Sequence, residues 1–233
     1  MKAVVLLSGG LDSSVNLYEA LQKYEVACVL TINYGQKALE QEIQSAKILC
    51  QKLKLNHQIL DLSWLKDVSP SSLNQSHQDI PDSSMVDIHS VVQSQESAKS
   101  VWVPNRNGLF LNVAAAVAEG LGARLVVPGF NLEEAQTFPD NSEAFLQTLN
   151  QSFEYSTQNH VKVFCFTTDL NKTQIIQRAI DLGLDLSDLW PCYRGQKEWC
   201  LDCESCLRFI RACKAIDVDI QELRTKRGSK NAI

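Results

Sequence analysis

The chain has 233 residues, 45% of them hydrophobic and 21% charged, with a formal net charge of −5. This suits a soluble globular unit of one domain with at most a small appendage, and it excludes any general attraction to nucleic acid or anionic lipid. No apolar run approaches the roughly 20 residues of a membrane span. Met1-Lys2 leads straight into an apolar stretch without a small-residue cleavage site, so a cytoplasmic protein is expected.

Residues 3–7 form a short apolar run that ends at Ser8-Gly9-Gly10, the pattern of a buried strand entering a turn. Residues 12–21 then show helical spacing, 26–32 read as a second buried strand, 37–53 as a second helix, and 56–62 as a third strand. This βαβαβ order predicts a Rossmann-like α/β fold, a parallel sheet with flanking helices. Residues 63–100 break the rhythm. They are rich in Ser, Gln and Asp and include Pro70 and Pro81, and so long a stretch without structure reads as a flexible insertion or lid. The alternation resumes with helix 109–121, strand 124–128, helix 141–157, strand 161–166 and helix 172–182. Asp140, three residues before Glu143, reads as a helix cap. The expected division is an α/β domain over 1–185 and a small C-terminal subdomain over 186–233, closed by a polar tail from Arg224 to Lys230.

The turn Ser8-Gly9-Gly10-Leu11-Asp12-Ser13 sits between the first strand and the first helix. In a parallel sheet this is where ligands bind. Its glycines permit close approach of an anion, the helix N-terminus offers free amides, and Ser8 and Ser13 add hydroxyls. Asp12 would repel a phosphate and is better suited to capping or to holding a bridging Mg²⁺. The kinase-type P-loop and the dinucleotide fingerprint are both excluded by their missing spacings.

Three of the eight cysteines, Cys28, Cys50 and Cys165, stand alone in apolar segments and read as buried packing residues. Cys192, Cys200, Cys203 and Cys206 crowd together and offer four thiolates, the set that closes a tetrahedral structural zinc site. An iron–sulfur cluster is the rival occupant. Cys213 falls in the following helix and reads as a packing residue.

The hexapeptide SGGLDS resembles the pyrophosphate loop of enzymes that split ATP into AMP and pyrophosphate. Further along come Thr31-Ile32-Asn33-Tyr34-Gly35-Gln36 with Glu42 and Ala46, Val103-Pro104-Asn105-Arg106-Asn107, Gly129-Phe130-Asn131, Phe138-Pro139-Asp140, Lys172 and Trp190-Pro191-Cys192-Tyr193. With the four cysteines, this ordered set resembles the QueC family of 7-cyano-7-deazaguanine (preQ0) synthases. The resemblance implies ATP-dependent activation of 7-carboxy-7-deazaguanine, capture by ammonia to an amide, and a second activation that leaves a nitrile. It implies that residues 7–17 (Leu7, Ser8, Gly9, Gly10, Leu11, Asp12, Ser13, Ser14, Val15, Asn16, Leu17) with Thr31 and Asn33 bind ATP. Arg106, Asn107, Gly129, Asn131 and Asp140 would bind the acid, and Asp12, Arg106 and Lys172 would lie nearest the reaction. For Lys172 and Asp140 the residues alone leave an exposed helical lysine and a helix cap as alternatives.

The expected cofactors are one structural Zn²⁺ per chain, ATP and Mg²⁺. The expected partners are small molecules and a second copy in a homodimer, with no nucleic acid and no membrane. Two departures from the family pattern, Ala38 and Asn141-Ser142, keep open a related ligase that joins a deazaguanine acid to an amine of another molecule or protein. A tRNA-modifying enzyme with the same loop is more distant, since the chain is acidic and shows no RNA-binding domain.

Overall fold

The computed structural model describes residues 1–85 and 98–230, and in it the N-terminal apolar run is the central strand of a parallel sheet. β1 (Lys2–Leu6) lies between β2 (Glu25–Asn33) and β4 (Leu125–Val127), with β3 (His57–Asp61) and β5 (Lys162–Val163) at the edges. The order is β3-β2-β1-β4-β5 and every pairing is parallel. The helices are α1 (Leu11–Lys23), α2 (Leu39–Leu53), α3 (Leu65–Val68), α4 (Arg106–Gly120) and α5 (Leu132–Ala135), followed by α6 (Glu143–Ser156), α7 (Lys172–Asp181), α8 (Glu204–Lys214) and α9 (Ile220–Lys230).

Alternation along β1 builds the two layers. Successive side chains of a strand point to opposite faces. Ala3, Val5 and Leu7 enter one core cluster with Val15 and Leu17 of α1, Leu49 of α2 and Ile175 and Ile176 of α7. Val4 enters the other, with Leu111 and Ala115 of α4 and Leu146 and Phe153 of α6. Each of the buried Val, Leu, Ile and Phe side chains contributes on the order of 1.5–3 kcal/mol. The chain runs outward from β1 through β2 to β3, then returns to lay β4 on the other side of β1. The strand order therefore reverses between β1 and β4, and a crevice opens at their carboxyl ends.

Cys192, Cys203, Cys206, Phe209 and Cys213 pack into the same cluster as α1 and α7, and Cys28, Cys50 and Cys165 are buried as expected. Among the described residues no helix is long and apolar enough to cross a membrane.

Several expectations need correction. Ser142, not Asp140, caps α6, its hydroxyl accepting from Phe145 N at 3.2 Å, because the intervening Pro139–Asn141 turn is a separate 3-10 element. The strand expected at 161–166 is only two residues long, since Asn150 of α6 bonds both the N–H and the C=O of Val163 and closes that edge. The polar tail is the ordered helix α9, with Arg227 buried. Residues 63–85, read as loop, contain α3 and send Leu65, Leu73 and Ile80 into the main core. At its far end residues 98–100 are helical, with Ala98 buried and Ser100 O accepting from Ser72 N at 2.8 Å, while residues 86–97 of the expected lid lie outside the described residues.

Candidate active site and metal centre

The turn after β1 is shaped by two close approaches. Gly9 has φ 75°, and a Cβ there would sit 2.6 Å from Ser45 Cβ of α2. Only glycine tolerates that conformation and that contact. Gly129, just past β4, lies so near the start of α1 that a Cβ would be 2.4 Å from Ser13 N. Ser8 and Ser13 hydroxyls stand 3.1 Å apart, and Ser14 Oγ donates to Gly10 O at 2.7 Å. Gly10 is the N-cap of α1, and no side chain caps the helix. Its first amides therefore lack a side-chain acceptor and make an anion-binding end.

Asp12 occupies the first turn of α1 and does not cap it. Its Oδ2 accepts from Lys172 Nζ at 2.5 Å and from Asn131 Nδ2 at 3.0 Å, and Lys172 Nζ also reaches Glu134 Oε1 at 3.0 Å. Asn131 caps α5 by accepting from Glu134 N at 2.9 Å, so one side chain orients both acids. Lys172 is the first residue of α7, placed by the capping box of Asn171 and Gln174. It is buried, which rules out the exposed helical lysine.

Burial raises the Asp12 pKa, with the Lys172 ammonium offsetting part of that shift. Burial also acts to raise Glu134, but there Lys172, Asn131 and Arg208 together outweigh it and the pKa lies below the usual carboxylate value. Burial disfavours the Lys172 ammonium, yet the two carboxylates more than compensate and hold its pKa above the ordinary value. Asp12 Oδ1 is buried without a protein partner.

Arg106 and Tyr34 form the opposite wall. Arg106 begins α4, directly after Asn105 in the left-handed region at φ 52°, and that bend aims its side chain at β2. Its guanidinium lies 5.5 Å from the Tyr34 ring centre and donates to Tyr34 Oη at 3.4 Å. Burial pushes the Tyr34 phenol up to about 12. No described carboxylate is ion-paired to Arg106, although Asp140 is near enough to favour its charge. Burial raises the Asp140 pKa against the pull of Arg106, and Asn141 donates to its carboxylate at 3.1 Å.

The four cysteine sulfurs all lie within 4.8 Å of one another, and Cys200 Sγ is 3.9 Å from Cys206 Sγ. Sulfurs at Zn–S bonds of about 2.3 Å in a tetrahedron stand about 3.8 Å apart, so the donor set fits that ion. Backbone amides of Arg194 and Cys200 point at Cys192 Sγ, and those of Asp202 and Cys203 point at Cys200 Sγ, stabilising thiolate charge. Trp190 N donates to Gly9 O at 2.8 Å, which brings the segment before Cys192 against the phosphate loop.

One cavity gathers most of the expected residues. Leu7, Ser8, Gly10, Leu11, Asp12, Ser13, Thr31, Arg106, Asn107, Gly129 and Lys172 line it, and Trp190 to Tyr193 with Phe209 close it from the cysteine side. Gly9, Asn131 and Asp140 stand behind it through the contacts given above. Ser14, Val15, Asn16 and Leu17 are buried in the body of α1, where Asn16 Oδ1 accepts from Phe166 N at 2.7 Å. Asn33 faces Asp61 at the end of β2, bonded at 3.2 Å. Thr31 donates to Leu7 O at 2.6 Å and ties β2 to the loop. Glu42, Glu134, Tyr34 and Asn141 also line the cavity and were not among the expected site residues. Glu134 had no motif to mark it. Its only signal was its place three residues after a capping Asn.

Residues 2–217 match the profile of the family described as "Queuosine biosynthesis protein QueC". The chain is 48% identical over 223 residues to a 7-cyano-7-deazaguanine synthase of Bdellovibrio bacteriovorus, covering 95% of this chain and 96% of that protein. It is 45% identical over 221 residues to the synthase of the same name from Pelotomaculum thermopropionicum, covering 95% of this chain and all (100%) of that protein. Among solved structures, a 4-thiouridine synthetase in complex with RNA and bound ATP shares the fold, with TM-score 0.51 and 19% identity over 97% of this chain and 53% of that one. A profile match from the central strand through the cysteine centre to the end of α8, joined to near-full-length identity, makes this chain a member of the QueC family.

Proposed function

We propose that this protein is an ATP-dependent ligase that makes 7-cyano-7-deazaguanine from 7-carboxy-7-deazaguanine and ammonia. The observation that carries the reading is electrostatic. An uncapped helix end and a guanidinium without a carboxylate partner face one cavity. Two anions, a triphosphate and a carboxylate, must meet for adenylation, and each needs its own positive site. The names borne by the near-full-length relatives support the same product.

In this reading the loop amides with Ser8 and Ser13 hold the β- and γ-phosphates, and Thr31 and Asn33 meet the adenosine. Arg106 draws the substrate carboxylate toward the α-phosphorus, while Asn107, Gly129, Asn131 and Asp140 bound the ring. A carboxylate oxygen attacks the α-phosphorus and pyrophosphate departs. Ammonia adds to the acyl carbon, and AMP carries away the oxygen, leaving the amide. The amide oxygen then attacks a second ATP at the same atom. Loss of AMP and of the remaining amide protons leaves the nitrile. The protein contributes positioning and charge stabilisation. Asp12 Oδ1, free of protein partners, is the oxygen suited to a Mg²⁺ ion. Zinc on the four thiolates would hold the cysteine wall of the cavity in shape.

Purified protein given the carboxy-deazaguanine, ATP and ammonium should yield the nitrile, AMP and pyrophosphate, read by mass spectrometry. Metal-replete protein that forms no nitrile overturns the reading. Elemental analysis should find one zinc per chain, and iron in its place would overturn that assignment.

A further inference from the structure

The family profile ends at residue 217, and α9 begins at Ile220. This helix nevertheless reaches the back of the phosphate loop. Arg227 is 5% exposed, and its Nη2 donates to Ser45 Oγ at 3.0 Å. Ser45 is the residue against which Gly9 packs, at the distance that leaves no room for a Cβ. Arg227 Nη1 donates to the carbonyls of Leu189 at 2.9 Å and Ser187 at 3.3 Å, and the guanidinium stacks 5.0 Å from the Trp190 ring centre. Trp190 in turn bonds Gly9 O through its amide at 2.8 Å. Gly9 is thus gripped on one side through Ser45 and on the other through Trp190, and both grips meet at one side chain.

An arginine is an expensive way to fill space. Burying a cation costs several kcal/mol unless charge and hydrogen bonds compensate it, and among the described residues Arg227 forms no ion pair. A Leu or Met would fill the same volume without that penalty. What only a guanidinium supplies is a rigid fork that addresses a hydroxyl and two carbonyls at once. The rest of α9 is docked separately, by Lys230 to Asp185 at 2.9 Å and to Asp188 at 2.7 Å.

We propose that Arg227 is a positioning residue for the phosphate-binding loop, fixing the Gly9 peptide through Ser45 and Trp190, so that α9 is a working part of the ATP site. The inference rests on the ATP-dependent reading given above. It predicts selective damage to ATP binding, because a misplacement of about 1 Å at a reacting group is enough to cost up to 10²-fold.

The test compares full-length Arg227→Met, Arg227→Lys, Ser45→Ala and Lys230→Ala with wild type. The measurements are zinc content, ATP affinity by calorimetry, and KM for ATP and for the acid. Arg227→Met should raise KM for ATP by about tenfold or more and leave KM for the acid within about twofold, with zinc retained. Arg227→Lys should fall between Arg227→Met and wild type. Ser45→Ala keeps the Cβ that Gly9 touches and removes only the acceptor, so it should show a smaller loss of the same kind. Lys230→Ala should unfold at a lower temperature yet keep its ATP affinity. If Arg227→Met fails to fold, Ser45→Ala decides, since it removes the same bond from the other end. ATP affinity unchanged in Ser45→Ala and in every folded Arg227 variant overturns the inference, as does a loss in Lys230→Ala equal to that of Arg227→Met. Wild-type protein that binds no ATP overturns the function reading itself.

Discussion

Two cations face the cavity, and their surroundings differ. Lys172 lies between Asp12 at 2.5 Å and Glu134 at 3.0 Å, so its charge is already neutralised by the protein. Arg106 has a tyrosine hydroxyl at 3.4 Å and an aromatic face, and no ion-paired carboxylate among the described residues. The difference assigns them different work. A neutralised lysine organises: it locks α1, α5 and α7 around the floor of the site. In the proposed reading, a guanidinium that Asp140 favours but does not ion-pair is the group that would recruit an anionic ligand. Composition counts both simply as positive residues, whereas the cavity separates them.

The largest expected effect is on stability. Lys172→Met leaves the buried Asp12 and the partly buried Glu134 without their shared cation, and breaking such a group from one end costs about 3–5 kcal/mol. Urea unfolding at neutral pH measures this, and a loss below about 1 kcal/mol would mean the three groups are not a unit. Arg106→Met should do the reverse. It removes a charge that the folded protein does not pair, so stability should hold or rise slightly. Its kcat/KM for the acid should fall by about 10²–10³, the range for a lost oxyanion-type donor, while ATP affinity persists. An equal loss of ATP affinity would place Arg106 at the phosphates instead. Next in size, Asn171→Ala should cost about 1 kcal/mol by uncapping the helix that carries Lys172, read as a small shift of the unfolding midpoint.

How far the sequence disclosed this arrangement depends on what holds each part together. The alternation of apolar runs and helical stripes made the sheet and its flanking helices legible, because burial of β1 and α1 is periodic. The loop was legible because Gly9 answers a steric demand that no other residue meets. The four cysteines were legible because thiolate spacing constrains little else. Helix α9 was missed because it docks through Arg227 and Lys230 to carbonyls and acids, so its surface shows no apolar period. Glu134 was missed because its role is set by Lys172, 38 residues away in sequence. Asp140 was misread as a cap because two overlapping patterns, Asp140 with Glu143 and Ser142 with Phe145, compete, and only the 3-10 turn decides between them.

Within the lysine group the two acids are unequal, and pH separates them. The folded pKa of Asp12 is raised, by burial first and with a contribution from the Glu134 charge. Ionised Asp12 therefore works against folding, and that cost is relieved as pH falls from neutral through its folded value, above the ordinary 3.9 or so. Glu134 has a lowered folded pKa, so its stabilisation is fully present above the ordinary value of about 4.3 and is lost as pH falls through its lower folded value. Glu134→Gln should change both limbs. It removes the acid loss below about pH 4, and it lowers the Asp12 pKa, shrinking the gain on mild acidification. Urea midpoints of wild type and variant across this range give a difference curve in which unrelated groups cancel. A difference curve that is flat above about pH 4 and changes only below it would show that Asp12 and Glu134 titrate independently, and that Lys172 joins them as two separate pairs.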